Sequence, residues 1–327
     1  MPTRRPIFEM QGKGVSIPTR LRRVGFRGTL TRPRYWESPT NSMKQGLSTH
    51  LFVDERLSLE RLKEVRTFGF ETLEIFALKP HFDYQDKKLA ADLATWLRDQ
   101  GGFLQSIHTP FCMDYQARSS REWLSIADPE RLRREKAVDE IRRSLEFSER
   151  VSFPLAVVHM GAPEDRLSHR HLDAIYYSLE TLMPFAEARG VALALENIPN
   201  ELSTVEGMRR FLEDAQLRKV GICFDSGHSH LQADPHTEIR DGETRIVATH
   251  LHDNHRKKDE HLLPFDGEID WAKLLESLEA VQYSGSLTME LKAWNRPPEA
   301  VMRLARERFD RFLKCQEDLM EMKTREG

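Results

Sequence analysis

The chain lacks long hydrophobic runs and has few cysteines, and both absences narrow the class of protein. No apolar stretch in its 327 residues approaches the roughly 20 residues that cross a bilayer, so we expect no membrane span. Its three cysteines are widely separated and odd in number, which argues against a disulfide framework and against a CxxC metal knuckle. A reducing, cytoplasmic compartment is therefore expected.

The first 42 residues differ in composition from the rest of the chain. They carry nine Lys and Arg against two acidic residues, and neither helical nor strand periodicity persists in them. They lack the apolar core of a secretory signal. A basic nucleic-acid arm is one interpretation, but the composition favours a disordered extension over residues 1–42, followed by one domain over residues 43–327. That domain has a net charge of about −10, which argues against nucleic acid as a partner.

From residue 45 onwards, short apolar runs alternate with amphipathic helical stretches. The strand-like runs are Leu47–Val53, Thr72–Phe76, Leu104–His108, Leu155–His159, Val191–Glu196, Val220–Asp225, Ile246–His250 and Leu287–Glu290. The helix-like segments are Leu57–Thr67, Lys87–Asp99, Arg131–Arg150, Leu172–Ala188, Val205–Asp214, Trp271–Ala280 and Glu299–Met322. This alternation predicts an α/β fold, a single-domain (β/α)8 TIM barrel. A doubly wound sheet would need a glycine-rich turn after its first strand, and residues 52–56 contain no glycine.

Polar groups stand at the ends of six successive strand-like runs. They are His108, His159, Glu196, Asp225 with His228 three residues on, His250 and Glu290. Each alone is more often a structural hydrogen-bonding group or a helix cap. Because the carboxyl ends of barrel strands converge on one face, six in succession predict a shared metal site. Imidazole and carboxylate ligands without thiolate suit Mn²⁺, Mg²⁺, Co²⁺, Fe²⁺ or Zn²⁺.

The densest run of such groups is THLHDNHRKKDEHLLPFDGEIDW, at 249–271. A solvated charged loop would have a similar composition. However, buried imidazoles and carboxylates need partners, and one divalent cation satisfies several of them together. His50 and Glu74, on the first two runs, could also reach the site, although structural hydrogen bonds explain each of them equally well.

These motifs resemble the xylose-isomerase-like TIM-barrel superfamily, which includes sugar isomerases and epimerases and the apurinic endonucleases of the endonuclease-four type. The resemblance runs from Lys44 to about Leu313. Its most specific parts are LENIP at 195–199, GICFDSGHSHL at 221–231 and the segment 250–271.

The resemblance implies two alternative sets of site residues. In the ketose epimerases one metal is held by four residues, which correspond here to Glu196, Asp225, His250 and Glu290. The two glutamates would also be the catalytic acid–base pair, and His228 and Arg256 would contact the substrate. The endonuclease branch holds three zinc ions, and its ligands match those four residues together with His108, His159, His228, Asp259 and His261.

The sequence departs from the endonuclease pattern after two strands. MGAPED follows His159 and NIPNELS follows Glu196, where the endonucleases carry Pro-Gly-Ser and Asn-Thr-Ala-Gly-Gln. One departure also touches the epimerase branch, whose usual Gly-Glu-Gly is replaced by FDGE at 265–268.

The resemblance therefore implies an enzyme, a divalent-metal-dependent isomerase or epimerase of a sugar or sugar phosphate. It would act by proton transfer next to a carbonyl, through an enediolate. A zinc-cluster apurinic endonuclease, a lyase or dehydratase of a keto-sugar, and a sugar-binding barrel without catalysis are the alternatives. The expected partner is a small carbohydrate, without nucleic acid or membrane, and a homo-oligomer is left open.

Overall fold

The computed structural model describes residues 9–11, 14–16 and 43–326. Two short strands, β1 (Glu9–Gln11) and β2 (Gly14–Ser16), pair with each other in antiparallel fashion. The rest of the predicted disordered extension lies outside the described residues. The domain boundary at residue 43 stays a prediction.

Eight parallel strands close into one barrel, which confirms the predicted (β/α)8 TIM fold. They are β3 (Lys44–Ser48), β4 (Thr72–Phe76), β5 (Leu104–His108), β6 (Leu155–His159), β7 (Ala192–Glu196), β8 (Val220–Asp225), β9 (Ile246–Leu251) and β10 (Ser286–Met289). Neighbours in the chain are neighbours in the barrel, and β10 closes the ring against β3, with Leu287 opposite Gln45.

In the described part of the chain, nine α-helices accompany these strands. They are α1 (Leu59–Thr67), α2 (Lys87–Leu97), α3 (Arg131–Leu145), α4 (His169–Glu187), α5 (Val205–Asp214), α6 (Ser226–Gln232), α7 (Pro235–Gly242), α8 (Trp271–Ala280) and α9 (Pro298–Glu326). None of these nine combines the length and the apolar character that a membrane span requires.

The helices begin where the sequence supplies capping side chains. Ser58, Asp86, Ser168, Thr204 and Asp270 each accept a hydrogen bond from a backbone N–H of the first helical turn. Such a cap satisfies a donor that has no partner inside the helix, and contributes about 1 kcal/mol. These caps therefore fix where five of the helices begin.

The strands are buried on both faces, because the barrel interior packs one face and the helices cover the other. Strands β7 and β8 consist entirely of buried residues. Outside the barrel, the ring of Trp271 on α8 packs against that of Phe312 on α9, with centroids 5.3 Å apart. This close packing gives the strand ends a rigid frame.

The first strand is where the sequence-based assignment is wrong. The apolar run Leu47–Val53 predicts a strand, but the strand is Lys44–Ser48 and a 3₁₀-helix follows at Thr49–Phe52. The hydroxyl of Ser48 accepts a hydrogen bond from the backbone N–H of His50 at 3.3 Å, which turns the chain. The hydrophobic residues of this run are buried within the turn, so their pattern reflects burial without a strand.

The helical assignments differ in detail. The predicted helix at 131–150 is α3 followed by a separate 3₁₀-helix, Glu146–Glu149. Helices α6 and α7, which lie between β8 and β9, have no counterpart among the predicted segments. Helix α6 begins directly after Asp225, whose carboxylate accepts the backbone N–H of His228 at 2.7 Å. The capping role that the sequence allowed for Asp225 is therefore present beside any role in the site.

Candidate active site

Four predicted ligand side chains meet at the carboxyl end of the barrel. Glu196 ends β7, Asp225 ends β8, His250 lies near the end of β9, and Glu290 directly follows β10. All four are buried. Because parallel barrel strands end at one rim, residues that are far apart in the sequence come together there.

His250 stands at the centre of this group. Its Nδ1 lies 2.9 Å from Oε1 of Glu196, 3.1 Å from Oε2 of Glu290 and 4.0 Å from Oδ2 of Asp225. One imidazole nitrogen thus faces three carboxylates, which is the convergence that the strand-end pattern predicts. Their role as metal ligands stays a prediction.

A fifth residue of this centre, Glu74, comes from the middle of β4. Its Oε1 lies 3.0 Å from Nε2 of His250, and its Oε2 accepts a hydrogen bond from the hydroxyl of Ser106 at 2.8 Å. The sequence leaves Glu74 as a lesser candidate. A single carboxylate inside the apolar strand TLEIF was the signal that could have ranked it higher.

His108 and His159, at the ends of β5 and β6, share the other oxygen of Glu196. Their Nε2 atoms lie 2.9 Å and 3.2 Å from Oε2 of Glu196. The ring of Phe111 stacks on His159, with centroids 4.3 Å apart and planes 5° from parallel. These two predicted additional ligands therefore extend the same buried cluster.

A second group of ligand-type side chains lies beside the first. Oδ2 of Asp259 is 3.3 Å from Nε2 of His228 and 2.9 Å from Nε2 of His261. His252 joins them, with its Nδ1 3.8 Å from Oδ1 of Asp259. The Nε2 of His252 lies 3.0 Å from the carboxylate of Asp225, so Asp225 connects the two groups. His252 is absent from the ligand set that the resemblance implies, although it stands in the densest His/Asp run.

The loop that supplies Asp259 and His261 is held by the carboxylate of Asp253. The carboxylate of Asp253 accepts hydrogen bonds from the backbone N–H groups of Asn254, Phe265 and Ile269 and from the indole of Trp271. A Cβ at Gly267 would lie 2.3 Å from Oδ1 of Asp253, so this one glycine of FDGE lets the loop close around the carboxylate.

Arg256, the predicted substrate contact, lies apart from both groups. Its side chain is exposed, and its Nε donates a hydrogen bond to Nε2 of His230 at 2.9 Å. It is not among the residues that line the cavity described below. His255 is also on the surface, where its Nδ1 lies 2.9 Å from Glu260.

The pKa values of the two candidate catalytic glutamates are shifted in opposite directions. Burial would raise the pKa of Glu196, but His250, His159 and His108 outweigh it and hold that pKa well below the ordinary value. Burial also raises the pKa of Glu290, and its histidine neighbours offset this only in part. Paired carboxyl groups with divergent pKa values are typical of acid–base sites.

The histidines are arranged as metal-binding histidines usually are. Nδ1 of four of them lies 2.9 Å from a backbone carbonyl oxygen, which can only accept a hydrogen bond, so each Nδ1 carries a proton. These histidines are His50, His108, His228 and His261. With Nδ1 held in this way, loss of the proton on Nε2 when a metal binds would leave the Nε2 lone pair directed towards a ligand position.

Charge and unsatisfied polar atoms also fit a bound cation. Burial opposes a charge on His261, but Asp259 outweighs it and raises the pKa of His261 to about 9. The carboxylate cluster thus favours positive charge, which a divalent ion also supplies. Oε2 of Glu290, Nδ1 of His159 and Nδ1 of His252 are buried without a hydrogen-bond partner among the described residues. Burying such atoms is costly, and coordination would satisfy them.

A cavity of about 250 Å³ opens onto both groups. It is lined by His50, Phe76, Phe111, Tyr115, Arg121, Trp123, His159, Pro163, Ile198, Pro199, His228, Asp259, His261 and Glu290. Four histidines and two carboxylates supply its polar lining, and four aromatic rings supply apolar surface. A concave, partly apolar site with a few convergent polar groups is typical of a small-molecule pocket.

The fold and this rim of histidines and carboxylates define a TIM-barrel protein with a candidate metal-dependent active site. The chain belongs to the xylose isomerase-like TIM barrel family, whose model matches residues 62–312. It is 28% identical over 260 residues to the uncharacterized protein MJ1311 of Methanocaldococcus jannaschii, covering 76% of this chain and 84% of that protein.

Solved structures that are similar to this fold include the following two. A D-tagatose 3-epimerase-like protein has a TM-score of 0.69 and 26% identity, over 85% of this chain and all of that chain. An L-ribulose 3-epimerase has a TM-score of 0.69 and 18% identity, over 86% of this chain and 97% of that chain. At that identity the second likeness concerns the fold alone.

Proposed function

We propose that the chain is a divalent-metal-dependent isomerase or epimerase that moves a proton at the carbon next to the carbonyl of a sugar or sugar phosphate. The observation that carries this proposal is the centre around His250, where the carboxylates of Glu196 and Glu290 both approach Nδ1 within 3.1 Å. Membership of the family and the likeness to the D-tagatose 3-epimerase-like protein support the same class of reaction.

Glu196, Asp225, His250 and Glu290 would hold the ion. Bound there, a divalent metal supplies a Lewis acid that polarises the carbonyl of the substrate. The contact between Glu74 and Nε2 of His250 fixes the orientation of that imidazole, as partners behind metal-binding histidines do. The oxygen and nitrogen ligand set suits Mn²⁺, Mg²⁺, Co²⁺, Fe²⁺ or Zn²⁺.

The two glutamates would transfer the proton. Glu290 lines the cavity, so its carboxylate would be within reach of a bound substrate and would face the C–H bond that reacts. Glu196 is not among the residues that line the cavity, but its Oε2 lies 3.2 Å from Nε2 of His159 and its Oε1 lies 3.7 Å from Nδ1 of His228, and both histidines do line it. One carboxylate would remove the proton and the other would return it, a form of catalysis that contributes about 10²–10⁴-fold. His228 and His261, which line the cavity, would orient hydroxyl groups.

The first test is replacement of Glu290 by Gln, with Glu60→Gln on the exposed surface of α1 as the matched control. Each protein is incubated with Mn²⁺, D₂O and a panel of ketoses, inososes and keto-glycosides, and deuterium incorporation at carbon is followed by NMR. We expect exchange in the wild type and the control, and at least about a 10²-fold loss in Glu290→Gln. Full exchange in a folded Glu290→Gln protein would show that the acid–base assignment is wrong.

A second candidate is a zinc-cluster apurinic endonuclease, which the group of His228, His252, Asp259 and His261 favours. This group could hold ions beyond the one at His250. The cavity favours the isomerase instead, because about 250 Å³ suits a small molecule better than a DNA duplex. About three zinc ions per chain, with nicking of a duplex that contains an abasic site, would establish the endonuclease. One exchangeable Mn²⁺ or Co²⁺ would support the isomerase.

A lyase or dehydratase of a keto-sugar would begin with the same proton removal. It differs in its product, because a hydroxyl group leaves and water is formed. Mass spectrometry of the products in the deuterium experiment separates the two reactions.

A further inference from the structure

Arg121 stands out among the residues of the cavity. Among the described residues that line it, Arg121 is the one lysine or arginine. It lies in the segment between β5 and α3, where its guanidinium packs on the rings of Tyr115 and Trp123, whereas Glu290 and the lining histidines come from other segments of the chain. A positive charge is therefore presented to any ligand in this cavity by a segment that carries none of the residues of the proposed chemistry.

The position of Arg121 is fixed by its neighbours. Its Nη2 donates a hydrogen bond to the backbone carbonyl of Tyr115 at 2.8 Å. The guanidinium carbon lies 4.5 Å from the ring centroid of Tyr115 and 5.4 Å from that of Trp123. Such cation–π contacts hold a planar guanidinium in a defined orientation.

The loop that carries Arg121 is itself anchored. Leu124 donates its backbone N–H to the carbonyl of Phe111 at 2.8 Å, and Met113 donates to that of Glu122 at 3.0 Å. Cys112 and Trp123 pair as an isolated antiparallel bridge. The guanidinium is therefore carried by a hairpin-like segment whose backbone hydrogen bonds hold it in place.

The charge of Arg121 has no carboxylate partner among the described residues. The adjacent acid, Glu122, pairs with Lys136, and Asp114 accepts the backbone N–H of Gln116. The Nε of Arg121 is buried and has no acceptor in the described part of the chain. Many other arginines, such as Arg61 and Arg133, contact carboxylates directly. A guanidinium with unused donors in a ligand cavity is suited to an oxyanion.

We propose that Arg121 is a specificity-determining residue that binds an oxyanion, a carboxylate or a phosphate, carried by the substrate at a distance from its reacting carbon. The inference rests on the proposed function, which identifies the end of the substrate that reacts. It narrows the substrate class to acidic or phosphorylated sugars. Neutral sugars would leave the guanidinium without its partner.

The test measures binding of polyols that have no carbonyl and so cannot react. Affinities for D-sorbitol, D-sorbitol 6-phosphate and D-gluconate are measured by calorimetry with Mn²⁺ present. The proteins are the wild type, Arg121→Gln, Arg121→Lys and the control Arg131→Gln, an exposed residue of α3 that pairs with Glu135. Thermal melting shows whether each variant is folded.

We expect one anionic polyol to bind the wild type and Arg131→Gln about 10- to 100-fold more tightly than sorbitol does, as hydrogen bonds to charged groups predict. Which anion it is distinguishes carboxylate from phosphate. Arg121→Gln should abolish the preference and leave the affinity for sorbitol unchanged, and Arg121→Lys should retain part of it. The proposal is wrong if neither anion binds the wild type more tightly than sorbitol, or if the preference survives in Arg121→Gln. Failure of the proposed function would appear separately, as absence of deuterium exchange.

Discussion

Replacing Asp253 by Asn should destabilise the protein strongly, although the two side chains have nearly the same shape. Asp253 is fully buried, and its carboxylate accepts four hydrogen bonds. Oδ1 accepts from the backbone N–H groups of Asn254 at 2.9 Å and Ile269 at 3.1 Å. Oδ2 accepts from the backbone N–H of Phe265 at 3.0 Å and from Nε1 of Trp271 at 2.8 Å. The substitution turns one of the two oxygens into an NH₂ donor.

Two of the four N–H groups would then face a donor. Each hydrogen bond to a charged group is worth about 1.5–3 kcal/mol, so we expect the free energy of unfolding to fall by about 3–5 kcal/mol. The matched control is Asp266→Asn, in the same loop. The carboxylate of Asp266 is partly exposed and accepts from Nη2 of Arg308 at 2.7 Å. That surface pair should contribute less than about 1 kcal/mol.

Urea denaturation followed by circular dichroism measures both variants. A loss of less than about 1 kcal/mol in Asp253→Asn, or equal losses in the two variants, would refute the reasoning that the buried carboxylate holds this loop.

Two further predictions concern acid stability and the metal. Glu140 is buried beside Tyr84, Arg143 and Lys79; burial would raise the pKa of Glu140, but these neighbours outweigh it and lower that pKa. The contribution of Glu140 to stability is therefore complete above its pKa in the unfolded chain, about 4.3, and is lost as pH falls through the lower pKa in the folded protein. Glu140→Gln should therefore flatten this part of the acid unfolding curve. An unchanged curve would contradict the assignment. Removal of bound divalent ions with a chelator should abolish deuterium exchange in the wild type, and added Mn²⁺ should restore it; full exchange in the chelated protein would contradict metal dependence.

The strand framework could be predicted because each barrel strand is buried on both faces. Strands β4, β5, β6 and β8 have the bounds that the apolar runs predict, since a strand covered on both sides carries little polar sequence until it ends. The polar residue at the end of each run is then a marker of the barrel rim. The convergence of Glu196, Asp225 and His250 follows from that geometry.

The same reasoning gives the wrong result for β3 and undervalues Glu74. Strand β3 includes Lys44, Gln45 and Gly46, and the more apolar residues that follow are buried in a 3₁₀ turn. Periodicity does not distinguish these cases, because a buried turn and a buried strand expose equally little surface. Glu74 lies at the centre of its strand, so an argument based on strand ends gives it no special weight.

The remaining site residues come from loops, whose conformation depends on contacts that the local sequence does not encode. His261 and Phe265 have positive φ angles of 47° and 71°, which cost a non-glycine residue free energy unless tertiary contacts compensate. Here the compensation includes the hydrogen bond from Phe265 to the carboxylate of Asp253 and the bond from Nδ1 of His261 to the carbonyl of Glu290. The imidazole of His261 reaches Asp259 because the buried Asp253, two residues after β9, and the carbonyl of Glu290 after β10 both constrain the loop. Spacing alone could propose His261 as a ligand, but its approach to Asp259 depends on contacts with residues that are not themselves candidate ligands.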